Sequence, residues 1–123
     1  MSEVRTGIDL CNIRRMEAML ERASFLNRWL TEDEQAWLAS RGKAAAQSAA
    51  GLWAAKEAFS KAVGKGLNLS FREIEVIHDS LGAPSYQLHG QAAALAEDAA
   101  LSLSITHEDG MAAAVCVMLR LSV

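Results

Sequence analysis

The chain has 123 residues, with 12 Lys and Arg against 15 Asp and Glu, a formal net charge of −3 and a sequence pI near 5.6. With 51% hydrophobic residues, 22% charged and a single proline, the composition excludes disordered, collagen-like and low-complexity classes. A chain this long makes one domain and buries about two-thirds of its unfolded surface, enough for a core without disulfides or metal.

In chain order, residues 4–10 predict a short strand ending in Gly7-Ile8-Asp9-Leu10. Asn12 is placed to cap a helix running to about residue 22, with Ile13, Met16, Met19 and Leu20 at helical spacing. Thr31-Glu32-Asp33-Glu34 has the Thr-x-x-Glu form of a capping box and predicts a short helix over 32–40. The Ala-rich stretch 44–63 is the strongest helix signal, stopped by Gly64 and Gly66. Residues 73–78 and 85–89 predict two strands joined by a turn over 79–84, and 91–98 an Ala-rich helix. Residues 101–106 and 111–119 predict two more strands, joined tightly at Glu108-Asp109-Gly110. No repeat or linker interrupts this order. It implies one α+β domain over residues 1–123, an antiparallel sheet packed against the long helix and shorter ones.

No apolar run approaches the roughly 20 residues of a membrane span, and the first residues lack a basic-then-apolar leader. Cys11 and Cys116 stand far apart in apolar stretches, so two reduced core thiols in a cytoplasmic protein are expected rather than a disulfide framework or a metal cluster. Mild acidity disfavours a sequence-independent nucleic-acid binder. The charge is segregated, however: residues 1–40 sum to −2, 41–70 to +4 and 71–123 to −5. A basic segment inside an acidic chain suits a small anion better than a long polyanion.

The long helix carries the informative residues. At 100° per residue, Leu52, Ala55, Phe59, Ala62 and Val63 share an apolar face, while Trp53, Glu57 and Lys61 form a separate stripe. Glu57 and Lys61 read either as an ordinary exposed pair, worth about 0.3–0.5 kcal/mol, or as part of a site. Glu57 is the one acid in residues 41–70, and Gly64-Lys65-Gly66 can turn backbone N–H groups toward phosphate oxygens. Asp9 reads as a helix cap by default, and otherwise as a salt-bridge partner or a ligand for a hard metal ion. Mg²⁺ is commonly held by one or two carboxylates plus waters and phosphate oxygens, so Asp9 and Glu57 would suffice if the fold joins them. His107 stands at a strand end, and His78 and His89 show no pattern that assigns them a role. Ser104 and His107 do not make a nucleophile pair, since no third member or elbow motif accompanies them.

Together these segments resemble the acyl-carrier-protein synthase family, the small branch of the 4′-phosphopantetheinyl transferases. The resemblance is carried by Thr6-Gly7-Ile8-Asp9-Leu10, by Ala50-Gly51-Leu52-Trp53-Ala54-Ala55-Lys56-Glu57-Ala58-Phe59-Ser60-Lys61-Ala62, and by Gly64-Lys65-Gly66-Leu67. Leu30-Thr31-Glu32-Asp33-Glu34, Phe71-Arg72-Glu73-Ile74-Glu75-Val76 and Leu103-Ser104-Ile105-Thr106-His107 extend it colinearly over residues 4 to 120. It implies transfer of phosphopantetheine from coenzyme A to a serine of apo acyl carrier protein, in fatty acid biosynthesis, with release of adenosine 3′,5′-bisphosphate. It further implies Mg²⁺ on Asp9 and Glu57, Lys61 beside the coenzyme A phosphates with Gly64, Lys65 and Gly66 close by, and His107 in substrate positioning. A homotrimer with sites between subunits is implied too, as is a carrier-docking helix bearing Arg15, with Arg14, Met19 and Arg22 as neighbours.

Those residue types suit that chemistry. A divalent ion between two carboxylates can bridge phosphates, a lysine can offset charge on the leaving group, and the serine nucleophile belongs to the partner. Its proton goes to Glu57, a metal-bound water or His107, and the residues alone do not choose among them. Leu52 stands where the family usually has an arginine, which implies either a lower affinity for coenzyme A or phosphate recognition by Lys65, Lys56 or Lys43. The alternative reading is a non-catalytic module of the same fold that binds coenzyme A or a carrier protein.

Overall fold

The computed structural model describes residues 2–64 and 68–121. Strand β1 (Glu3–Asn12) leads into helices α1 (Ile13–Met19), α2 (Ala23–Trp29) and α3 (Glu32–Ala39), and then the long helix α4 (Ala45–Val63). Strands β2 (Ile74–His78) and β3 (Pro84–Leu88), helix α5 (Gly90–Leu95), and strands β4 (Ala99–Glu108) and β5 (Met111–Arg120) follow. The antiparallel pairing expected from sequence is present but divided: one three-stranded sheet in the order β1-β5-β4 and a separate β2-β3 hairpin. The β4–β5 turn needs only two residues because Asp109 (φ 54°) and Gly110 (φ 79°) both accept positive φ, the type I′ geometry that matches strand twist.

Local signals decide most element ends. The Asn12 side chain accepts the Arg15 N–H at 3.0 Å, and Thr31 with Glu34 forms the reciprocal capping box. Helix α1 stops at Met19 rather than near residue 22, because Arg22 is extended and a second helix, α2, begins behind it. That helix went unpredicted, although Phe25, Leu26, Trp29 and Leu30 have helical spacing. It turns Phe25 and Trp29 onto Trp53, with ring centroids 5.7 and 5.2 Å away, and Phe71 closes the cluster at 5.0 Å. Helix α5 ends three residues short of the expected 98, since Ala99 already pairs with Arg120 in the sheet. Gly64 ends α4 as expected, whereas Lys65 and Gly66 lie outside the described residues.

The core lies between α4 and the three-stranded sheet. Ala49, Ala50, Ala54, Ala55, Ala58 and Ala62 on the helix and Ala112, Ala114, Cys116 and Met118 on β5 are all buried in it. Small residues on both sides allow close approach without voids. The helix crosses the sheet from β4, where Gly51 faces Ile105, to β1, where Gly7 faces Ala58 and Ala62. Cys11 and Cys116 are buried free thiols, as the sequence indicated. The opposite face of the sheet is apolar and uncovered, with Val4, Ile8 and Leu10 each more than 60% exposed beside half-buried Val115, Val117 and Leu119.

A Cβ at residue 7 would collide with the Ala58 carbonyl and sit 2.8 Å from the Ala62 nitrogen. Both are backbone atoms of a helix that cannot yield. Gly7→Ala is expected to destabilise the fold by about 3 kcal/mol or more, lowering Tm by roughly 10 °C in a thermal melt. An unchanged Tm would show that β1 and α4 are not in this contact.

Candidate active site

Glycine at position 7 brings the β1 backbone against α4, and two residues on, Asp9 projects from the same side of the strand. There the Lys61 ammonium stands 3.2 Å from Asp9 Oδ1 and donates to the Ile8 carbonyl at 3.0 Å. Of the two readings of Glu57 and Lys61, an isolated exposed pair falls away, since Lys61 bonds across elements to Asp9 while its charge still acts on Glu57. Asp9 is not a helix cap either; Asn12 has that role. Glu57, one turn before Lys61 on the same flank of α4, is half-buried. Burial pushes its carboxyl above the ordinary range, the Asp9 charge pushes it further, and Lys61 pulls it back. Asp9, Glu57 and Lys61 thus form one constellation drawn from two elements 48 residues apart between the carboxylates.

Helix α1 rims this constellation. Arg14 and Arg15 are exposed and Met19 is half-buried, whereas Arg22 is exposed beyond the end of α1, off the helix on which it was expected; the Arg15 charge is felt at the Cys11 thiol, two residues beyond Asp9. Burial raises that thiol's pKa while Arg15 opposes the shift.

His107 is elsewhere. The Gln47 carboxamide nitrogen stands 2.9 Å from its Nε2. Gln47 precedes Glu57 by ten residues on α4, about 15 Å at 1.5 Å per residue. Within one chain the structure brings Asp9, Glu57 and Lys61 together and leaves His107 at the other end of the helix.

At that end lies a cavity of about 380 Å³, lined among others by Trp37, Arg41, Gln47, Leu52, His78 and His107. Trp37 and His78 stack nearly parallel, 9° between planes and 3.9 Å between centroids, and the Arg41 guanidinium lies 5.3 Å from the Trp37 ring. Arg41 also donates to the Ser48 hydroxyl at 3.2 Å. An aromatic platform with a neighbouring cation and imidazole is equipped for a flat ring bearing an anionic group. Sequence reasoning missed Trp37, Arg41 and His78. The first two stand four residues apart, a legible helical neighbourhood, but His78 joins them only through tertiary contact.

Lys56 needs correction. It was a candidate for phosphate binding, yet it is fully buried, with its ammonium 2.9 Å from Glu34 Oε1. Its pKa falls because burial outweighs the opposing pull of Glu34. The sequence did contain the signal: Leu52, Lys56 and Phe59 share the i, i+4, i+7 spacing of the buried face. Leu52 itself is buried against the cavity.

The chain is thus an α+β fold with a polar cluster toward each end of α4. The sequence pattern of the 4′-phosphopantetheinyl transferase superfamily matches residues 5–116. A holo-[acyl-carrier-protein] synthase of Oceanobacillus iheyensis is 41% identical over 117 residues, covering 91% of this chain and 92% of that protein. A Chronobacterium ammoniagenes synthase–CoA complex superposes with a TM-score of 0.83 at 34% identity, covering 94% and 96% of the two chains. A holo-(acyl-carrier-protein) synthase of Bacillus anthracis, in complex with CoA (3′,5′-ADP), superposes with a TM-score of 0.83 at 35% identity, covering 98% and 100%. The chain belongs to the 4′-phosphopantetheinyl transferase superfamily, within its acyl-carrier-protein synthase branch, and it is an enzyme.

Burial and the Arg41 charge lower the pKa of His78 from its ordinary value near 6.5, against a smaller upward pull from Asp79. Between the lowered folded value and 6.5 the unfolded chain binds more protons, so stability rises with pH across that window and is lost as pH falls through it. His78→Phe keeps a ring against Trp37 and removes the titration. Denaturant melts at pH 7.5 and 5.5 should show a smaller pH-dependent loss in the variant than in the wild type. Equal losses would remove His78 from the account.

Proposed function

We propose that the chain moves 4′-phosphopantetheine from coenzyme A to a serine hydroxyl of apo acyl carrier protein, releasing adenosine 3′,5′-bisphosphate. The observation that carries this reading is the meeting of Asp9, Glu57 and Lys61 on a chain whose relatives are holo-acyl-carrier-protein synthases. The donor set fits Mg²⁺. Two hard carboxylate oxygen donors lie close enough that one charge raises the other's proton affinity, and a divalent cation relieves that repulsion. No cluster of three His, Cys, Asp or Glu forms among the described residues. Asp9 and Glu57 would hold it, and when bound it supplies Lewis-acid polarisation of the coenzyme A diphosphate.

Lys61, held by Asp9 and the Ile8 carbonyl, is positioned to offset charge developing on the departing bisphosphate. The cavity supplies the nucleotide end: Trp37 and His78 for the base, Arg41 and His107 for phosphate. Arg41 thereby takes the place that Leu52 leaves vacant. Arg15, with Arg14, Met19 and Arg22, offers the carrier protein a basic surface at the rim of the same centre. The fatty-acid carrier and a cytoplasmic location belong to the same reading; no helix among the described residues is long and apolar enough to cross a membrane.

Because His107 and the carboxylates occupy opposite ends of α4, a complete site calls for a neighbouring chain. The uncovered sheet face, with Ile8 at 66% exposure and an apolar depression of about 180 Å³ around it, supports assembly as a homotrimer.

Wild-type protein with apo acyl carrier protein, coenzyme A and Mg²⁺ should add one phosphopantetheine, read by intact mass. Glu57→Gln should slow this by about 100-fold or more. Mg²⁺ should also raise the Tm of the wild type and not of Glu57→Gln. Coenzyme A binding without transfer would make the chain a binding module instead. Ile8→Lys places a charge on the apolar face, away from Asp9. Sedimentation should show a trimer for the wild type and monomer for this variant, with transfer lost; an active wild-type monomer would overturn the shared site.

A further inference from the structure

The Lys56–Glu34 pair has no part in the constellation just described, yet both side chains are almost completely buried. All three protons of the Lys56 ammonium are used: Glu34 Oε1 accepts at 2.9 Å, the Phe71 carbonyl at 2.7 Å and the Ile74 carbonyl at 2.8 Å. Glu34 is as fully engaged. Its Oε1 also accepts the Thr31 N–H at 2.9 Å, and its Oε2 accepts the Val76 N–H at 2.9 Å. One ion pair therefore ties α4 to the first turn of α3 and to the start of β2. These are three of the walls of the nucleotide cavity. Trp37 is one turn beyond Glu34 on α3 and leads to Arg41, and His78 is two residues beyond Val76 on β2.

We propose that Lys56 and Glu34 are positioning residues for coenzyme A: the pair sets the register of α3 against β2 and so holds Trp37, His78 and Arg41 in the arrangement that receives the nucleotide. The inference rests on the transferase reading of that cavity. Stability alone does not account for the pair, because exchanging a buried ion pair for uncharged side chains of similar volume is often neutral or stabilising, while breaking it from one side is costly. A parallel stack, by contrast, is sensitive to small displacements, and misplacement of about 1 Å can cost a site 100-fold.

The double variant Glu34→Gln/Lys56→Met removes both charges without stranding either, and takes from the Phe71 and Ile74 carbonyls the donor they had. It should fold, by circular dichroism, and raise KM for coenzyme A about tenfold, with kcat and KM for the carrier protein within about twofold of wild type. Titration with adenosine 3′,5′-bisphosphate alone should show the same loss of affinity. Tyr86→Phe serves as the control: it removes the hydroxyl that donates to the Ala55 carbonyl at 2.6 Å, loosening β3 from α4 with Glu34 untouched. It should lower Tm and leave KM for coenzyme A unchanged. If the double variant does not fold, Lys56→Arg retains the charge in a different shape and should still raise KM for coenzyme A selectively. A folded variant with unchanged KM and unchanged bisphosphate affinity overturns the positioning role. A wild type that transfers nothing and binds no bisphosphate overturns the cavity's assignment with it, and the wild-type measurement separates the two failures.

Discussion

Everything in this molecule depends on how closely β1 lies against α4. Residue 7 has no side chain, so backbone meets backbone, and Arg5 bonds the Ala62 carbonyl at 2.6 Å on one side of the contact while Lys61 bonds Asp9 and Ile8 on the other. Those bonds grip the last turns of the helix from two directions. A carboxylate at position 9 is then obliged to stand beside positions 57 and 61, and the chemistry follows from that placement. Helix propensity and apolar periodicity would build the same helix with any residue at position 7, but only glycine lets the strand reach it.

Helix α4 acts as a beam with different equipment at its two ends. Its first turns carry Gln47, Ser48, Gly51 and Leu52 to a cavity lined by rings, an arginine and an imidazole; its last turns carry Glu57 and Lys61 to a carboxylate. Between them the helix is lined with alanine and packed on alanine. Coenzyme A has a matching division into a nucleotide and a diphosphate-linked arm. The distance along the helix between Gln47 and Glu57 is the physical reason the two ends are joined in our reading by a neighbouring chain rather than by one protomer.

Much of this was legible from the residues. Capping chemistry located α1 and α3, Asp-Gly located the β4–β5 turn, and alanine with terminal glycine located α4. The family resemblance singled out Asp9, Glu57 and Lys61, which the fold then gathered. Other features were hidden for definite reasons. The fate of Lys56 depends on a carboxylate 22 residues away, so local charge suggested an exposed cation where the structure has a buried one. The stacking of His78 on Trp37 depends on how the β2–β3 hairpin lies across α3, which no local spacing encodes. Helix α2 was missed for a simpler reason, since Arg22 at its start makes no capping bond and no Ser, Thr, Asp or Asn marks that position.

The alanine-lined α4 also bears on what kinds of length change the chain tolerates. Each residue of an α-helix advances about 1.5 Å and turns about 100°. One residue inserted or deleted between Gln47 and Glu57 would swing the carboxylate and Lys61 away from β1 if the first half kept its seat on β4. It would dislodge the cavity wall if the second half kept its seat instead. The span between positions 47 and 61 behaves as a gauge of fixed length, with its calibration written in whole helical turns.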